Sequence, residues 1–374
     1  MDNFIKIFNS ECIEKMSGMK DSSVDLIFAD PPYWMRVAGV LHRVEGTEYD
    51  GCSDEWDNQF TSLQDYNKFT HEWLRECRRL LKPTGSIWVI GGMQCIYTIG
   101  NAMQETGFWL INDIIWHKRN PTPNFKGTRL NNSHETLIWA AKDKNSKYTF
   151  HYKTAKELNL ENVSESDFHN GLRKQLGSVW KIPVCSGNER LRTQAGAKLH
   201  STQKPEELLY RVICISSNPG DVLLDPFGGT MTTGAVAKKT GRSFIGIEAN
   251  ATYCEYGKQR IDLVEEQMGN IENAVFDIKP LKVKFTDMID DGFLREGEAF
   301  YTKNKIKHAV LQRDGKLLFD NGSIANIHDG AAVATNSKAD KLNGFNVWYV
   351  ERDNRLVSID VIRNQYRETQ SNGK

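Results

Sequence analysis

The stretch Val24-Asp25-Leu26-Ile27-Phe28-Ala29-Asp30-Pro31-Pro32-Tyr33 decides the fold. Its first six residues are largely apolar, which predicts a strand buried on both faces, as in a parallel sheet. The strand ends at a carboxylate and two prolines, and the prolines restrict the backbone around that carboxylate. Open α/β sheets bind ligands beyond the carboxyl ends of their strands, so the stretch also predicts a site at Asp30.

The tetrapeptide from Asp30 to Tyr33 suits methyl transfer to an exocyclic amino group. The lone pair of an aromatic amine is delocalised into its ring. The Asp30 carboxylate and the Pro31 carbonyl can each accept one amino hydrogen and so localise that pair. Tyr33 offers a ring face to an extruded base, an interaction worth about 1–3 kcal/mol. Asp-Pro-Pro also marks ordinary turns, so the tetrapeptide alone leaves a plain strand-ending turn open.

Helix and strand patterns alternate around this stretch. Strands are predicted at 4–8, 86–90, 108–116, 135–140, 222–224 and 244–247, and helices at 66–81, 94–105, 206–217, 232–239 and 251–266. The segment 82–85, Lys-Pro-Thr-Gly, is expected to separate the first helix from its strand. The alternation predicts an α/β fold with a doubly wound sheet.

The end of the chain has a different pattern. Helical periodicity fades near Gly269, and short strands follow at 299–302, 307–312, 316–319 and 346–351, with weak helices near Thr286 and Ala331. We predict one domain over residues 1–268, a linker over 269–283 and a small α+β domain over 284–374.

Composition excludes several classes of protein. The chain has 374 residues, and 48 lysines and arginines balance 48 aspartates and glutamates, so overall charge gives no support to a polyanionic partner. Seven scattered cysteines without a Cys-x-x-Cys pair argue against disulfides and against a metal site. No signal peptide pattern and no apolar stretch of about 20 residues is found. We therefore expect a cytoplasmic protein without a metal or a membrane role.

A second motif, Asp225-Pro226-Phe227-Gly228-Gly229-Thr230, also lies between a predicted strand and a helix. Its glycines let the backbone approach a nucleoside, and Glu248, at the end of the strand 244–247, is placed to accept from ribose hydroxyls. S-adenosylmethionine is cationic and has no pyrophosphate, so these acids suit it. The glycine-rich turn of another nucleotide-binding domain remains the alternative.

The segment from Trp116 to His134 is basic and contains no acid. It carries Lys118, Arg119, Lys126 and Arg129, with asparagines between them. Such a segment fits a nucleic-acid interface, in which arginine reads guanine and asparagine reads adenine. A solvated loop is the alternative. We interpret His134 as a core histidine.

Four motifs together resemble those of a DNA amino-methyltransferase. They are Asp30–Tyr33, Asp225–Thr230, Thr202–Pro205 (Thr-Gln-Lys-Pro) and Phe244–Glu248 (Phe-Ile-Gly-Ile-Glu). The methyl-acceptor motif precedes the cofactor motif, as in the β class. Residues 25–33, 85–91, 120–128 and 134–139 resemble the HinfI-type and CcrM-type adenine methyltransferases that modify GANTC. The tail resembles the RAMA domain found behind such enzymes.

The resemblance implies a Rossmann-like methyltransferase sheet with a circularly permuted motif order. It also implies methyl transfer from S-adenosyl-L-methionine to a flipped adenine in double-stranded DNA, with target recognition over about 117–200. The catalytic residues would be Asp30, Pro31, Pro32 and Tyr33. The cofactor-binding residues would be Glu11, Cys12, Asp30, Thr202, Gln203, Lys204, Pro205, Asp225, Phe227, Gly229, Thr230, Thr232 and Glu248. The candidate DNA-binding residues are Asn120, Asn124, Lys126, Arg129, Asn132, Arg190, Arg192, Ser323, Asn343 and Phe345.

The sequence departs from the family pattern at a few positions. Ser10-Glu11-Cys12 replaces the usual Gly-Asp-Cys, Gly228 replaces an aromatic residue, and Met231 replaces a glycine. Phe345 stands where tryptophan is expected.

Two other functions stay open: an N4-cytosine methyltransferase, in which serine would be more usual than Asp30, and a catalytically silent DNA-binding regulator. A homodimer and a cognate restriction endonuclease are possible partners.

Overall fold

A computed structural model of the chain describes residues 3–35, 41–42, 48–49, 57, 59–121, 123, 128–159, 174–265, 282–336 and 342–372. The chain divides into two compact units, Met1–Asp277 and Ile278–Lys374. The expected linker at 269–283 lies outside the described residues except for its last two positions. The domain limits at 268 and 284 therefore stay predictions.

The first unit alternates strands and helices. Its strands are β1 (Ile5–Asn9), β2 (Val24–Ala29), β3 (Leu41–His42), β4 (Glu48–Tyr49), β5 (Leu81–Gly91), β6 (Trp109–Lys118), β7 (His134–Ala141), β8 (Val179–Ile182), β9 (Val222–Asp225) and β10 (Ser243–Glu248). Its helices are α1 (Cys12–Ser17), α2 (Leu63–Leu80), α3 (Ile96–Glu105), α4 (Tyr152–Glu157), α5 (Glu206–Ser216), α6 (Thr232–Lys239) and α7 (Ala251–Asp262). Sequence patterns missed α1, α4 and β8, which are too short to show a period.

Eight strands form one sheet in the order β1-β10-β9-β2-β5-β7-β6-β8. The strands from β1 to β5 in this order are parallel, whereas β7 runs antiparallel to both of its neighbours. Ile27 and Ala29 of β2 belong to one apolar cluster, and Leu26 and Phe28 belong to another. The central strand is therefore buried on both faces, as its sequence predicted.

Helix α2 shows how the sequence sets these layers. The Ser62 hydroxyl accepts a hydrogen bond from the Asp65 N–H at 3.1 Å and caps the helix. Buried residues then recur at helical spacing along one face, among them Trp73 and Leu80. The expected break between helix and strand at 82–85 is wrong. Strand β5 begins at Leu81 and contains residues 82–85, and its register against β2 shifts between Val24 and Leu26.

The second unit is an α+β arrangement with its own core. Its strands are β11 (Ala299–Tyr301), β12 (Lys307–Leu311), β13 (Leu317–Phe319), β14 (Ile324–Ala325), β15 (Tyr349–Arg352) and β16 (Arg355–Ser358), in the sheet order β14-β13-β12-β11-β15-β16. Its helices are α8 (Phe285–Asp290), α9 (Ile327–Ala334) and α10 (Ile359–Asn372). Sequence patterns missed β14, β16 and α10. The fully buried Trp348 lies within the core.

Within the described residues, no helix combines the length and the apolar character that a membrane span requires.

Candidate active site

The ends of β2 and β9 open into one cavity. The two strands pair in parallel, so Asp30, just after β2, and Asp225, the last residue of β9, lie at the same edge of the sheet. A cavity of about 680 Å³ is lined by both acids. That size lies within the range of about 300–1,000 Å³ usual for small-molecule sites.

Most of the expected site residues line this cavity. Those that do are Glu11, Cys12, Asp30, Pro31, Pro32, Tyr33, Thr202, Gln203, Lys204, Asp225, Phe227, Gly229, Thr230, Thr232 and Glu248. Pro205 does not line it, because it precedes the first turn of α5 as its N-cap. His200, Asn250 and Tyr253 also line the wall, although no motif indicated them.

One oxygen of Asp30 is held and the other is free. Lys204 Nζ donates to Asp30 Oδ2 at 2.7 Å. Asp30 Oδ1 is buried, and no group of the described residues donates a hydrogen bond to it. A buried acceptor without a donor costs about 1–3 kcal/mol, so this oxygen is a strong position for a ligand N–H.

Glu135, the second residue of β7, joins the catalytic tetrapeptide to Lys118. Its Oε2 accepts the Tyr33 hydroxyl at 2.9 Å and lies 3.9 Å from Lys204 Nζ. Its Oε1 accepts from Lys118 Nζ at 2.6 Å. Two carboxylates and two ammonium groups thus alternate in a partly buried row, which we call the lysine–carboxylate row: Lys118, Glu135, Lys204 and Asp30.

Burial and these charges act in opposite directions on the row. Burial raises the pKa of Asp30, and the Lys204 ammonium opposes that rise. Burial opposes the charged forms of Lys204 and Glu135 as well. Even so, the neighbouring carboxylates raise the pKa of Lys204, and the two lysines lower the pKa of Glu135. The ion pairs of the row thus favour the charged forms of Lys204 and Glu135, whereas burial of Asp30 outweighs the opposing effect of Lys204 on its pKa.

Backbone contacts fix the end of β2. Tyr66 donates its hydroxyl hydrogen to the Pro32 carbonyl at 2.8 Å, whereas no donor among the described residues bonds the Pro31 carbonyl. Trp34 has a left-handed φ of +50°. The Asp57 carboxylate accepts from the N–H groups of Trp34 and Met35, each at 2.7 Å, and so holds this uncommon turn.

The acids at the other end of the cavity have only neutral donors within the part of the chain that the structure describes. Asp225 accepts the Phe227 N–H at 3.0 Å and the Thr233 hydroxyl at 2.5 Å, and Glu248 accepts the Gly229 N–H at 2.8 Å. Within the described chain, neither acid forms a salt bridge with a basic side chain. Burial raises the pKa of Asp225 to about 7 and also raises the pKa of Glu248.

In the cofactor loop, the two residues that depart from the family pattern, Gly228 and Met231, compensate each other in volume. Met231 is fully buried with a left-handed φ of +56°, the conformation that explains why glycine is usual there. A Cβ on Gly228 would lie 2.7 Å from the end of the Met231 side chain, and one on Gly257 would lie 2.4 Å from its Cγ. The Met231 side chain therefore fills space that these glycines leave.

Cys12 lies on the cavity wall with an unreactive thiol. Burial raises its pKa to about 12, so the thiolate is not populated near neutral pH. This environment agrees with a structural interpretation of the residue.

The expected DNA-binding residues of the first unit lie in different surroundings. Asn120 Oδ1 accepts the Val184 N–H at 2.9 Å, and the Arg190 guanidinium bonds the carbonyls of Cys185, His200 and Ser201. Arg129, Asn132 and Arg192 are exposed, and Arg192 also donates to the Gly196 carbonyl. Asn124 and Lys126 lie outside the described residues. His134 is exposed, so its interpretation as a core histidine is wrong.

In the second unit, Ser323 and Asn343 are exposed, but Phe345 is not. Only 8% of Phe345 is accessible, and the Arg363 guanidinium lies 3.8 Å from its ring centroid. Asn343 accepts the Phe345 N–H at 3.2 Å. Phe345 is therefore part of the core of the second unit, and its candidate role in DNA binding stays a prediction.

Comparison with known proteins agrees with this geometry. The profile of N6/N4 methyltransferases, described as DNA methylase, matches residues 24–259. The chain belongs to this DNA methylase family. The profile described as Restriction Enzyme Adenine Methylase Associated matches residues 265–372. The chain is therefore a methyltransferase that acts on DNA, with S-adenosylmethionine as its methyl donor.

Individual relatives are similar over most of this DNA methylase. It is 45% identical over 360 residues to the type II methyltransferase M.HinfI of Haemophilus influenzae, covering 96% of each chain. It is 36% identical over 265 residues to the type II methyltransferase M2.DpnII of Streptococcus pneumoniae, covering 71% of this chain and 92% of that one. The solved PvuII cytosine-N4-specific DNA methyltransferase shares the fold at 19% identity, with a TM-score of 0.51 over 73% of this chain and 92% of that chain.

Proposed function

We propose that this DNA methylase transfers a methyl group to the N6 amino group of adenine in duplex DNA at GANTC. The observation that carries the proposal is Asp30 Oδ1, a buried acceptor without a donor among the described residues, on the wall of the cavity. An amino group of a substrate supplies the missing donor. The base is neutral, which suits an acid whose charge Lys204 already balances.

The opposite end of the cavity fits S-adenosylmethionine. This ligand carries positive charge on its sulfonium and amino groups, and the buried Asp225 and the half-buried Glu248 have only neutral donors among the described residues. The complementary packing of Gly228 and Met231 supports a formed cofactor loop. The altered cofactor loop is the feature that would favour a silent regulator, and this packing argues against that alternative.

The residues of the chain would hold and polarise the amino group. Asp30 Oδ1 and the Pro31 carbonyl accept its two hydrogens and stabilise the positive charge that develops on nitrogen. The bound cofactor supplies a methyl group whose carbon–sulfur bond breaks as the nitrogen–carbon bond forms. The nitrogen then releases one proton to Asp30, whose pKa is raised by burial.

The target adenine must leave the duplex to reach this site, at a cost of a few kcal/mol. Tyr33 would stack on the flipped ring and offset part of that cost. Arg129 and Asn132, exposed between β6 and β7, are the residues of the first unit that we propose for base reading.

The choice of adenine rests on Asp30, the first residue of the catalytic tetrapeptide. The choice of GANTC rests on similarity to M.HinfI. Asp30 leads the tetrapeptide, where serine would favour cytosine N4. The similarity to M.HinfI spans both units of the chain, including the recognition region.

Labelled methyl transfer tests the proposal. The full chain is incubated with methyl-labelled S-adenosylmethionine and a duplex containing one GANTC site, or duplexes with a single base changed. We expect label on the intact site alone, and digestion to nucleosides should recover it as N6-methyladenosine. Label on cytosine would overturn the choice of base. Absence of label from all duplexes would overturn the activity itself.

We infer that the second unit contributes to DNA binding through its exposed face, including Ser323 and Asn343. Truncation after residue 281 removes a unit that has its own core, so the first unit should stay folded. The truncated chain should bind DNA more weakly, and its affinity should fall less steeply with salt because fewer phosphates are contacted. An unchanged salt dependence would contradict this role.

We further infer cytoplasmic action, a homodimer and a cognate restriction endonuclease. The symmetric GANTC site and the type II relatives support the two partners. Sedimentation of the full chain with and without the duplex tests the dimer.

A further inference from the structure

We propose that Glu135 is a positioning residue for methyl transfer, which holds Tyr33 and Lys204 so that one oxygen of Asp30 stays free for the amino group. The inference rests on the proposed function and extends it to a residue outside the four motifs.

The position of Glu135 follows from the direction of β7. Because β7 runs antiparallel to β5, its first residues lie at the edge of the sheet where β2 and β5 end. Only 13% of the Glu135 side chain is accessible. Both of its oxygens are used, one by Lys118 and one by Tyr33.

Glu135 fixes the ring that would stack on the flipped base. Its Oε2 accepts the Tyr33 hydroxyl at 2.9 Å. On the edge of the ring, Gly92 leaves so little space that a Cβ there would lie 3.3 Å from Tyr33 Cδ2. Lys204 Nζ lies 5.2 Å from the ring centroid. The hydrogen bond to Glu135 is therefore the contact that orients the ring, and a larger residue at position 92 would crowd its edge.

Glu135 also limits how Lys204 engages Asp30. The Lys204 ammonium contacts Asp30 Oδ2 at 2.7 Å and lies 3.9 Å from Glu135 Oε2. The ammonium is thus attracted by two carboxylates at once, which restrains it in the position where it contacts Oδ2 of Asp30. Without that charge, Lys204 is free to move between the two Asp30 oxygens and to compete with the amino group for Oδ1.

Lys118 completes the arrangement from the recognition side. It is the last residue of β6, and its Nζ donates to Glu135 Oε1 at 2.6 Å. The chain then leaves the sheet into the segment that carries Arg129 and Asn132. The position of Glu135 therefore depends on a residue that begins the base-reading segment.

The charge-removing variant Glu135→Gln tests the inference in the full chain. Single-turnover methylation of a GANTC duplex isolates the chemical step from product release. We expect a rate about 10- to 100-fold lower, the loss that follows a displacement of about 1 Å. The dissociation constant for S-adenosylmethionine should stay within about twofold of the parent, since Glu135 does not line the cofactor end of the cavity.

The pH profile separates positioning from a merely structural role. The negative charge of Glu135 adds to the effect of burial in raising the pKa of Asp30. Its removal should lower that pKa and move the acid limb of the single-turnover rate to lower pH. The matched control Glu105→Gln, at an exposed partner of His71, should change neither rate nor profile. An unchanged rate, or a slower rate with an unmoved acid limb, would overturn the inference.

A second variant, Lys118→Met, tests the same role if Glu135→Gln fails to fold. Lys118→Met should slow the same step by a smaller factor, and the double variant should be no slower than Glu135→Gln alone, because Lys118 acts through Glu135. If the losses in rate of the two single variants add in the double variant, Lys118 does not act through Glu135. If the parent chain methylates cytosine, the choice of base fails while the role of Glu135 still stands on these rates. If the parent chain methylates no duplex, the proposed function fails, and the role of Glu135 in methyl transfer fails with it.

Discussion

The two ends of the cavity contain buried acids in opposite electrostatic states. At the acceptor end, Asp30 is paired with Lys204 at 2.7 Å within the lysine–carboxylate row. At the donor end, Asp225 and Glu248 are bonded by backbone N–H groups and a hydroxyl, and within the described chain they have no basic side chain as a salt-bridge partner. The difference matches the charges of the two ligands. A neutral amino group needs a balanced acceptor, and a cationic cofactor supplies the charge that the donor end lacks.

The lack of a paired cation at the donor end also explains why the pKa of Asp225 lies near neutral pH. Burial raises the pKa of Asp225 to about 7, and no basic side chain of the described residues forms an ion pair that would offset this effect. Such a cost is tolerated where a ligand later compensates for it. The donor end of the cavity therefore favours a ligand that carries a positive charge.

Removal of the acceptor carboxylate should have the largest effect. Asp30→Ala should lower the methylation rate by about 10²–10³-fold or more, because it removes contacts that strengthen in the transition state. Calorimetry should show S-adenosylmethionine affinity close to that of the parent. Asp113→Ala, on the exposed face of β6, is the control. Substantial turnover by Asp30→Ala would contradict the assignment of the acceptor end.

Neutralising the donor end should affect binding before chemistry. Asp225→Asn keeps the shape of the side chain and removes its charge, so the affinity for S-adenosylmethionine should fall by about 10- to 100-fold. Titration calorimetry measures this loss, with Asp262→Asn on the exposed end of α7 as the control. Comparable affinity in Asp225→Asn and the parent would remove the electrostatic distinction between the two ends.

Acid should weaken cofactor binding in the parent enzyme. Because the Asp225 pKa is raised to about 7, the carboxyl becomes protonated as pH falls through that value and loses its attraction for a cation. From about pH 8 to about pH 6, affinity should fall by up to about tenfold. The dependence should vanish in Asp225→Asn. If it persists there, a different group is responsible.

The smallest effect on catalysis is expected from the packing behind the donor end. Gly257→Ala places a Cβ 2.4 Å from Met231 Cγ, so it should destabilise the fold by about 1–3 kcal/mol even though alanine favours helices. Met231→Ala in the same chain should recover part of the loss. Thermal unfolding measures both. If Gly257→Ala alone stabilises the protein, Met231 does not fill the space between these glycines.

The sequence predicted the two motifs and the edge of the sheet that joins them. Asp30 and Asp225 each follow a recognisable apolar strand, and the rules of α/β sheets place such residues together. Glu135 was missed as a site residue, and Lys118 was named only as part of a basic segment, because their contact depends on the pairing of β5, β7 and β6, which local patterns do not encode. An acid at the start of a strand, facing a lysine that ends the previous one, was the available signal.

Two departures from the family pattern could not be interpreted from local sequence for a similar reason. Phe345 was named by its place in the resemblance, whereas its burial in the core of the second unit, beside Arg363, follows from tertiary packing. Met231 was recognised only as a replacement for a glycine, because the glycine that makes room for its side chain, Gly257, lies in another helix. Tertiary packing decides each of these cases.

The pairing of β6 and β7 matters for engineering enzymes that read other DNA sequences. The Lys118–Glu135 ion pair, which we call the clamp, links the end of β6 to the start of β7. The entropy of closing a loop grows only slowly with its length. Loops from other enzymes could therefore be grafted above this clamp to change the DNA sequence that is read, while the chemistry below it is preserved.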